Sequence, residues 1–290
     1  MGVEGAPGWL DELDVRPGPP WHAMGTRALD ESSWLVADDE RVDQLALKRT
    51  LLAGAPDDVA ASLPGAEAAA QETAELIAAA TGLVLEEDRP PLEAAALLVQ
   101  EDLCLLLPRD GDWHLDAGVV CFPSLWRIGD KVGLPMTAVH APVPAYDVEL
   151  AGRVDRFLDR LRPDRLVWRR NWLVHDSPAL HQPAPPAHDQ TPAVPGGLWL
   201  RSERQTLRRL PRTGGVLFTI RTQQAPFEVL THRPKIAAAV ARSMRSWSDD
   251  LVDYRRAGSW RAAALAWLDE VASASDPGTL DPGTLEPGAR

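Results

Sequence analysis

His140 stands in the run Val139-His140-Ala141-Pro142-Val143-Pro144. Two prolines beside it fix φ near the helical or polyproline range and remove two backbone donors, so the imidazole is presented from a chain that cannot easily relax. Rigid presentation suits an axial ligand to haem iron, and equally an ordinary packed or turn histidine. The other six histidines say less. His22, His114 and His232 lie near predicted loops, and His175, His181 and His188 lie around the proline-rich connector 178–195. No pair has the His-x-x-x-His or His-x-His spacing that places two ligands on one element, which weighs against zinc or non-haem iron.

The second group of chemically able residues lies on predicted strands. If 165–175 is a strand, Val167, Arg169, Asn171 and Leu173 share one face while Trp168, Arg170 and Trp172 share the other. A guanidinium and an amide side by side on a mostly apolar strand suit either a ligand-facing role or a satisfied pair at a sheet edge. A one-residue slip exchanges the faces, so the choice between Arg169 and Arg170 stays open. The alternation recurs at Trp199, Arg201, Glu203 and Gln205, so two adjacent strands would point polar side chains into one cavity. A structural Arg201–Glu203 ion pair is the alternative.

The chain excludes several other chemistries. It has no G-x-G-x-x-G opening a helix, no G-x-x-x-x-G-K-[ST] and no G-x-S-x-G, so nucleotide, phosphate and serine-hydrolase readings lack support. Its two cysteines, Cys104 and Cys121, are too few for a disulfide framework, a four-thiolate zinc site or an iron–sulfur cluster. A formal charge of −12 weighs against a nucleic-acid partner, although arginines gather between Arg153 and Arg221, where they suit an anion such as a cofactor's propionates. With 290 residues, 45% of them hydrophobic, the chain can bury one large core or two modest ones. It shows no apolar run of 18 residues and no basic-then-apolar leader, so no membrane association and a cytoplasmic setting are expected.

The elements that must position these residues read as follows. Residues 1–20 look like an extended lead-in, with four prolines and four glycines. Residues 21–101 read as mostly helical, with helices over 39–52, 60–83 and 91–101. Short strands follow at 103–107, 113–116 and 119–122, broken by Pro108, Gly111 and Gly118, with a helical turn over 124–132. Over 147–161, Leu150, Val154, Phe157, Leu158 and Leu161 form one helical stripe that Pro163 ends. Strands over 165–175, 197–203 and 216–222 precede helices over 236–245 and 260–272. The tail 276–290 repeats Asp-Pro-Gly-Thr-Leu and reads as disordered. The expected fold is α+β: an antiparallel sheet with helices, forming one domain over 21–275 elaborated by helical segments at both ends (21–101 and 236–272).

Taken together, the motifs resemble one family. They are Cys121-Phe-Pro-Ser-Leu-Trp126 followed by Asp130-Lys131-Val-Gly133, the His140 run, and Arg169-Arg-Asn171-Trp172. Next come Arg201-Ser-Glu203-Arg204-Gln205-Thr-Leu-Arg-Arg-Leu-Pro211 and Leu217-Phe218-Thr-Ile-Arg221. Occurring in this order between about Pro17 and Arg245, they resemble the haem-dependent oxidative N-demethylases. The resemblance implies a haem-binding PAS fold, haem b as cofactor, and oxidation of a small secondary amine by O2. It also implies electrons from a separate reductase carrying flavin and an iron–sulfur cluster. It makes His140 the iron ligand and Arg169, Asn171 and Glu203 the catalytic candidates, with Arg170 and Arg201 contacting the cofactor's polar edge. A haem-binding gas sensor or carrier without catalysis is the competing reading. No flavin or dinucleotide fingerprint is present, so such a chain would need its reductase for turnover.

Overall fold

In the computed structural model, residues 7–16, 25–144, 151–185 and 190–274 are described. Seven strands form one sheet: β1 (Arg27–Leu29), β2 (Ala60–Ser62), β3 (Asp102–Arg109), β4 (Asp112–Val119), β5 (Leu166–His175), β6 (Trp199–Arg209) and β7 (Val216–Pro226). Their order is β1-β5-β6-β7-β3-β4-β2, and every neighbouring pair is antiparallel. The β3–β4 hairpin turns at Asp110 (φ 55°) and Gly111 (φ 94°), the left-handed pair that an Asp-Gly dipeptide supplies most cheaply. A register shift between Leu105 and Leu106 bends the same hairpin.

Helices cover both faces. One face of the sheet carries α1 (Arg41–Gly54), α2 (Pro56–Val59), α3 (Glu67–Thr81) and α4 (Pro91–Ala96), where Ile77, Leu103, Leu105 and Leu217 are fully buried. Beside them, Trp172, Val174 and Leu200 pack against the C-terminal helices introduced below. The crossover from β4 to β5 carries α5 (Met136–Val139) and α6 (Ala151–Arg160) and returns over the opposite face. There Cys104, Leu106, Leu158, Leu207 and Val216 are buried, with Met136, Val139 and Val154 packed against them. The chain closes with α7 (Pro234–Arg245), α8 (Asp249–Tyr254) and α9 (Arg261–Ser273), whose buried Val240, Met244 and Leu268 complete the C-terminal core. Gly118 marks a place where only a hydrogen fits, because a Cβ there would lie 2.8 Å from Ile128 Cδ1 and 3.1 Å from the Leu103 carbonyl oxygen. No helix among the described residues is long and apolar enough to cross a membrane.

The α+β architecture matches the sequence reading, while several boundaries move. The helix expected over 60–83 loses its first residues to β2, whose Ala60, Ala61 and Ser62 pair with β4; sheet pairing overrides alanine's helical preference. The two strands expected at 113–116 and 119–122 are replaced by one, β4, in which Gly118 continues the ladder opposite Cys104 and which ends at Val119, so 120–122 are not strand. β6 runs on to Arg209, six residues past its expected end, because Arg204 to Leu207 pair with both β5 and β7 and Arg208 and Arg209 continue the pairing with β7. Of the turn expected over 124–132, only Ile128–Asp130 is helical, as a 3-10 turn. α8 was not anticipated. Within the expected lead-in, Gly8–Glu12 forms a 3-10 turn whose Leu10 is buried in the core. Residues 145–150, the start of the expected 147–161 helix, lie outside the described residues, as do His22, His188 and the tail.

Candidate functional site

Sheet register decides which expected residues meet. Residues directly opposite one another in an antiparallel pair share a face. Arg169 pairs with Gln205, Asn171 with Glu203, and Leu173 with Arg201, so all six point to the side covered by α5 and α6. On β7, Thr222 pairs with Glu203, which makes Asn171, Glu203 and Thr222 one row across three strands. Arg170 points to the other face. There its guanidinium donates to Ser202 Oγ at 3.0 Å and Gln223 Oε1 at 2.9 Å and pairs with Glu12, so the structure does not bring it to the row of Glu203.

His140 follows the last residue of α5 and is half-buried. Its Nδ1 lies 3.0 Å from the Met136 carbonyl oxygen; a carbonyl can only accept, so Nδ1–H donates and the lone pair of the neutral ring belongs to Nε2. Burial lowers the His140 pKa. The bond to Met136 opposes this, and the charges of Arg169 and Lys131 lower it further. Arg169 is therefore near enough to His140 to act on its charge. Lys131 Nζ also donates to the Val139 carbonyl at 2.9 Å, at the end of α5 where a cation complements the exposed carbonyls. Below it, Gly133 N–H donates to the Leu115 carbonyl, Leu115 N–H donates to the Leu134 carbonyl, and Arg109 donates to the Gly133 carbonyl. The stretch from Lys131 to His140 is thereby tied to β4.

Glu203 is held from two sides. Ser124 Oγ donates to Oε1 at 2.9 Å and Gln205 Nε2 donates to Oε2 at 2.9 Å. Across the row, the buried hydroxyl of Thr222 has no hydrogen-bond partner among the described residues. Arg201 does not pair with Glu203 through hydrogen bonds. Fully buried, its guanidinium donates to the carbonyls of Phe122 and Pro123 on one loop and Ala179 and Leu180 on another. Burial lowers its pKa, with Glu203 and Asp102 opposing. Asn171 spends its amide oxygen on the Trp172 backbone N–H. The site thus gathers Arg169, Asn171, Glu203 and His140 on one side of the sheet, with Arg201 beneath it as a strut.

Sequence reasoning did not single out Ser124, Thr222, Lys131 or Asp102 as site residues. Ser124 lies in the Cys121-to-Trp126 motif, whose chemistry is invisible until the loop is folded over β6. Both cysteines are buried, and burial, reinforced by Asp102, raises both thiol pKa values, Cys121 to about 12. Neither is a ready nucleophile or soft ligand.

A family model described as haem-dependent oxidative N-demethylase, alpha subunit-like, matches residues 78–265. The chain belongs to this family. The matched span holds β3 to β7, α5 to α8, and every residue of the site just described.

The site's donor chemistry fits a haem. A neutral imidazole whose Nδ1–H is fixed on a backbone carbonyl is the form in which histidine ligates iron through Nε2. Val139 and Met136 pack α5 against the apolar cluster that includes Leu207, Cys104 and Leu106, and the charge of Arg169 acts on His140. Among the described residues no group of three or more His, Cys, Asp or Glu side chains is arranged to hold a bare metal ion.

Proposed function

We propose that this chain is the haem-carrying subunit of an oxidase that removes an N-methyl group from a small amine, with His140 as the iron ligand. The observation that carries this reading is the 3.0 Å contact of His140 Nδ1 with the Met136 carbonyl, on the side of the sheet that holds Arg169 and Glu203. The family match supports the reaction class. The central strand order β4-β3-β7-β6-β5, with a long helical crossover between β4 and β5, supports a PAS-like core. Haem b, when bound, supplies an iron at which O2 is reduced and an N-methyl carbon oxidised. The overall balance for dimethylamine is one O2, two electrons and two protons in, with methylamine, formaldehyde and water out.

The chain's own residues do the remaining work. Met136 fixes the His140 ring so that one nitrogen is always directed away from α5. Glu203 offers carboxylate oxygens to a cationic ammonium and accepts its proton; Ser124 and Gln205 hold the two oxygens as neutral donors, while the charges of Arg201 and Arg255 act on the same carboxylate. Arg169 provides a donor and a positive charge where negative charge develops on the oxidant side. Arg170 and Arg201 act through structure, by tying β5 to Glu12 and by joining two loops. Electrons come from a separate flavin and iron–sulfur reductase.

Reconstitution with haemin tests the reading. The wild-type chain takes up one haem with a Soret band that shifts with CO. With a reductase, NADPH and dimethylamine it releases formaldehyde. Haem and CO binding without formaldehyde release would favour a gas-binding carrier, and a chain that stays colourless would refute both.

A further inference from the structure

Ser124 is carried by a loop that the fold secures from both sides. On its N–H side, the buried Asp102 carboxylate accepts from Cys121 N at 2.9 Å and Phe122 N at 2.8 Å. Lys48, wholly buried in α1, lies 3.7 Å from the same carboxylate and is itself held by the carbonyls of Ala96, Val99 and Glu101. On its carbonyl side, Arg201 takes Phe122 O at 2.7 Å and Pro123 O at 3.2 Å. His181 Nδ1–H donates to Cys121 O at 2.9 Å.

Immediately after Ser124 the backbone is strained. Leu125 has φ 65°, a conformation that costs a branched non-glycine residue of order 1 kcal/mol or more. That residue persists there because its N–H donates to Gln182 O at 2.7 Å and Ser124 forms a bridge with Gln182. Three buried charged side chains, Asp102, Lys48 and Arg201, and a strained residue together hold this one connection. Their joint result is that Ser124 Oγ stands 2.9 Å from Glu203 Oε1.

We infer that Ser124 is a positioning residue that orients Glu203 for capture of an alkylammonium ion. A glutamate on a strand has three rotatable bonds, and leaving it to rotate would spread its charge over several directions. With Oε1 held by Ser124 and Oε2 by Gln205, the carboxylate plane is fixed, and each oxygen keeps lone pairs for a cation. The orphaned Thr222 hydroxyl, cross-strand from Glu203, is a second acceptor in the same row, suited to a second ammonium N–H. The carboxylate favours a cation over an anion, although the charges of Arg201 and Arg255 draw on the same group. This inference rests on the amine-oxidising reading and adds a residue to it.

Saturation-transfer NMR with dimethylammonium chloride, on both haem-free and haem-loaded protein, tests it, with a melting curve for each variant. Ser124→Ala raises the dissociation constant about tenfold, equivalent to about 1.4 kcal/mol. Ser124→Thr, which keeps the hydroxyl, restores it to within about threefold, and Glu203→Gln abolishes binding. In the loaded enzyme the Ser124→Ala loss falls on KM more than on kcat. Wild-type affinity in Ser124→Ala together with loss in Glu203→Gln would overturn the role of Ser124 alone. Wild-type affinity in Glu203→Gln, or no binding by the wild-type protein, would refute the amine site itself. A lowered melting temperature in Ser124→Ala without rescue by threonine would assign the hydroxyl to folding and also overturn the proposal.

Discussion

Acid should destabilise this protein through His175. His175 is 9% exposed at the end of β5, with Nδ1–H donating to Gln182 Oε1 at 2.8 Å. Burial lowers its pKa to about 4, and the buried Arg201 guanidinium adds to the effect. In the unfolded chain the same ring titrates near 6.5, so below that pH the unfolded state binds a proton that the folded state refuses. The sign follows: the stabilisation is intact above pH 6.5 and drains away as pH falls toward 4. Each unit of difference is worth about 1.4 kcal/mol, so between pH 7 and pH 4.5 His175 alone removes about 2–3 kcal/mol. Urea unfolding at pH 7 and pH 4.5, in wild type and in His175→Gln, isolates this contribution. Carboxylates common to both proteins cancel, and the wild type should lose about 2–3 kcal/mol more than the variant. Equal losses in the two proteins would show that His175 is not held neutral, and would undo the account of the Arg201, Gln182 and His175 neighbourhood.

Further consequences concern the struts. Arg201→Met leaves four loop carbonyls without their guanidinium and should cost about 3–5 kcal/mol in urea unfolding; a loss below about 1 kcal/mol would mean that Arg201 does not join the loops. Glu72→Gln should cost about 1–3 kcal/mol, because the buried carboxylate accepts from Arg212 N, Thr213 N and Thr213 Oγ1 at the β6–β7 turn. Its effect should fall on stability and not on haem uptake, and a change in haem content would contradict that separation. Glu72 also has a lowered pKa, its hydrogen bonds outweighing burial, so the difference between the two proteins should shrink in acid.

The parts of the fold that were legible in the sequence are those where local chemistry and tertiary packing agree. The break at Gly111, the alternation along β5 and the stripe of Val154, Phe157 and Leu158 on α6 each signal their element directly. β2 was not legible, because Ala60 to Ser62 carry no strand signal and are strand only by pairing with β4. The same limit governed the site. Alternation put Arg169 and Asn171 on a shared face and Glu203 on a neighbouring strand, but only the register joins them. Whether Arg169 or Arg170 faces that side is a one-residue question, which the pairing of Arg169 with Gln205 answers. Arg201 was the harder case. Its place on the same face suggested a cofactor contact, while its hydrogen bonds reach loops that are 21 and 79 residues away in sequence. Ser124 and Lys131 could not be seen in advance, because each acts through a loop that approaches its target only after the crossover has folded.

The measurement that bears most directly on the central claim is the ultraviolet–visible spectrum of haemin-reconstituted protein, oxidised, reduced and with CO, in wild type and His140→Ala. The wild type should show a histidine-ligated spectrum and stoichiometric haem. His140→Ala should lose the haem or lose that ligation, and added imidazole should return it. Unaltered haem content and an unaltered spectrum in His140→Ala would contradict the account.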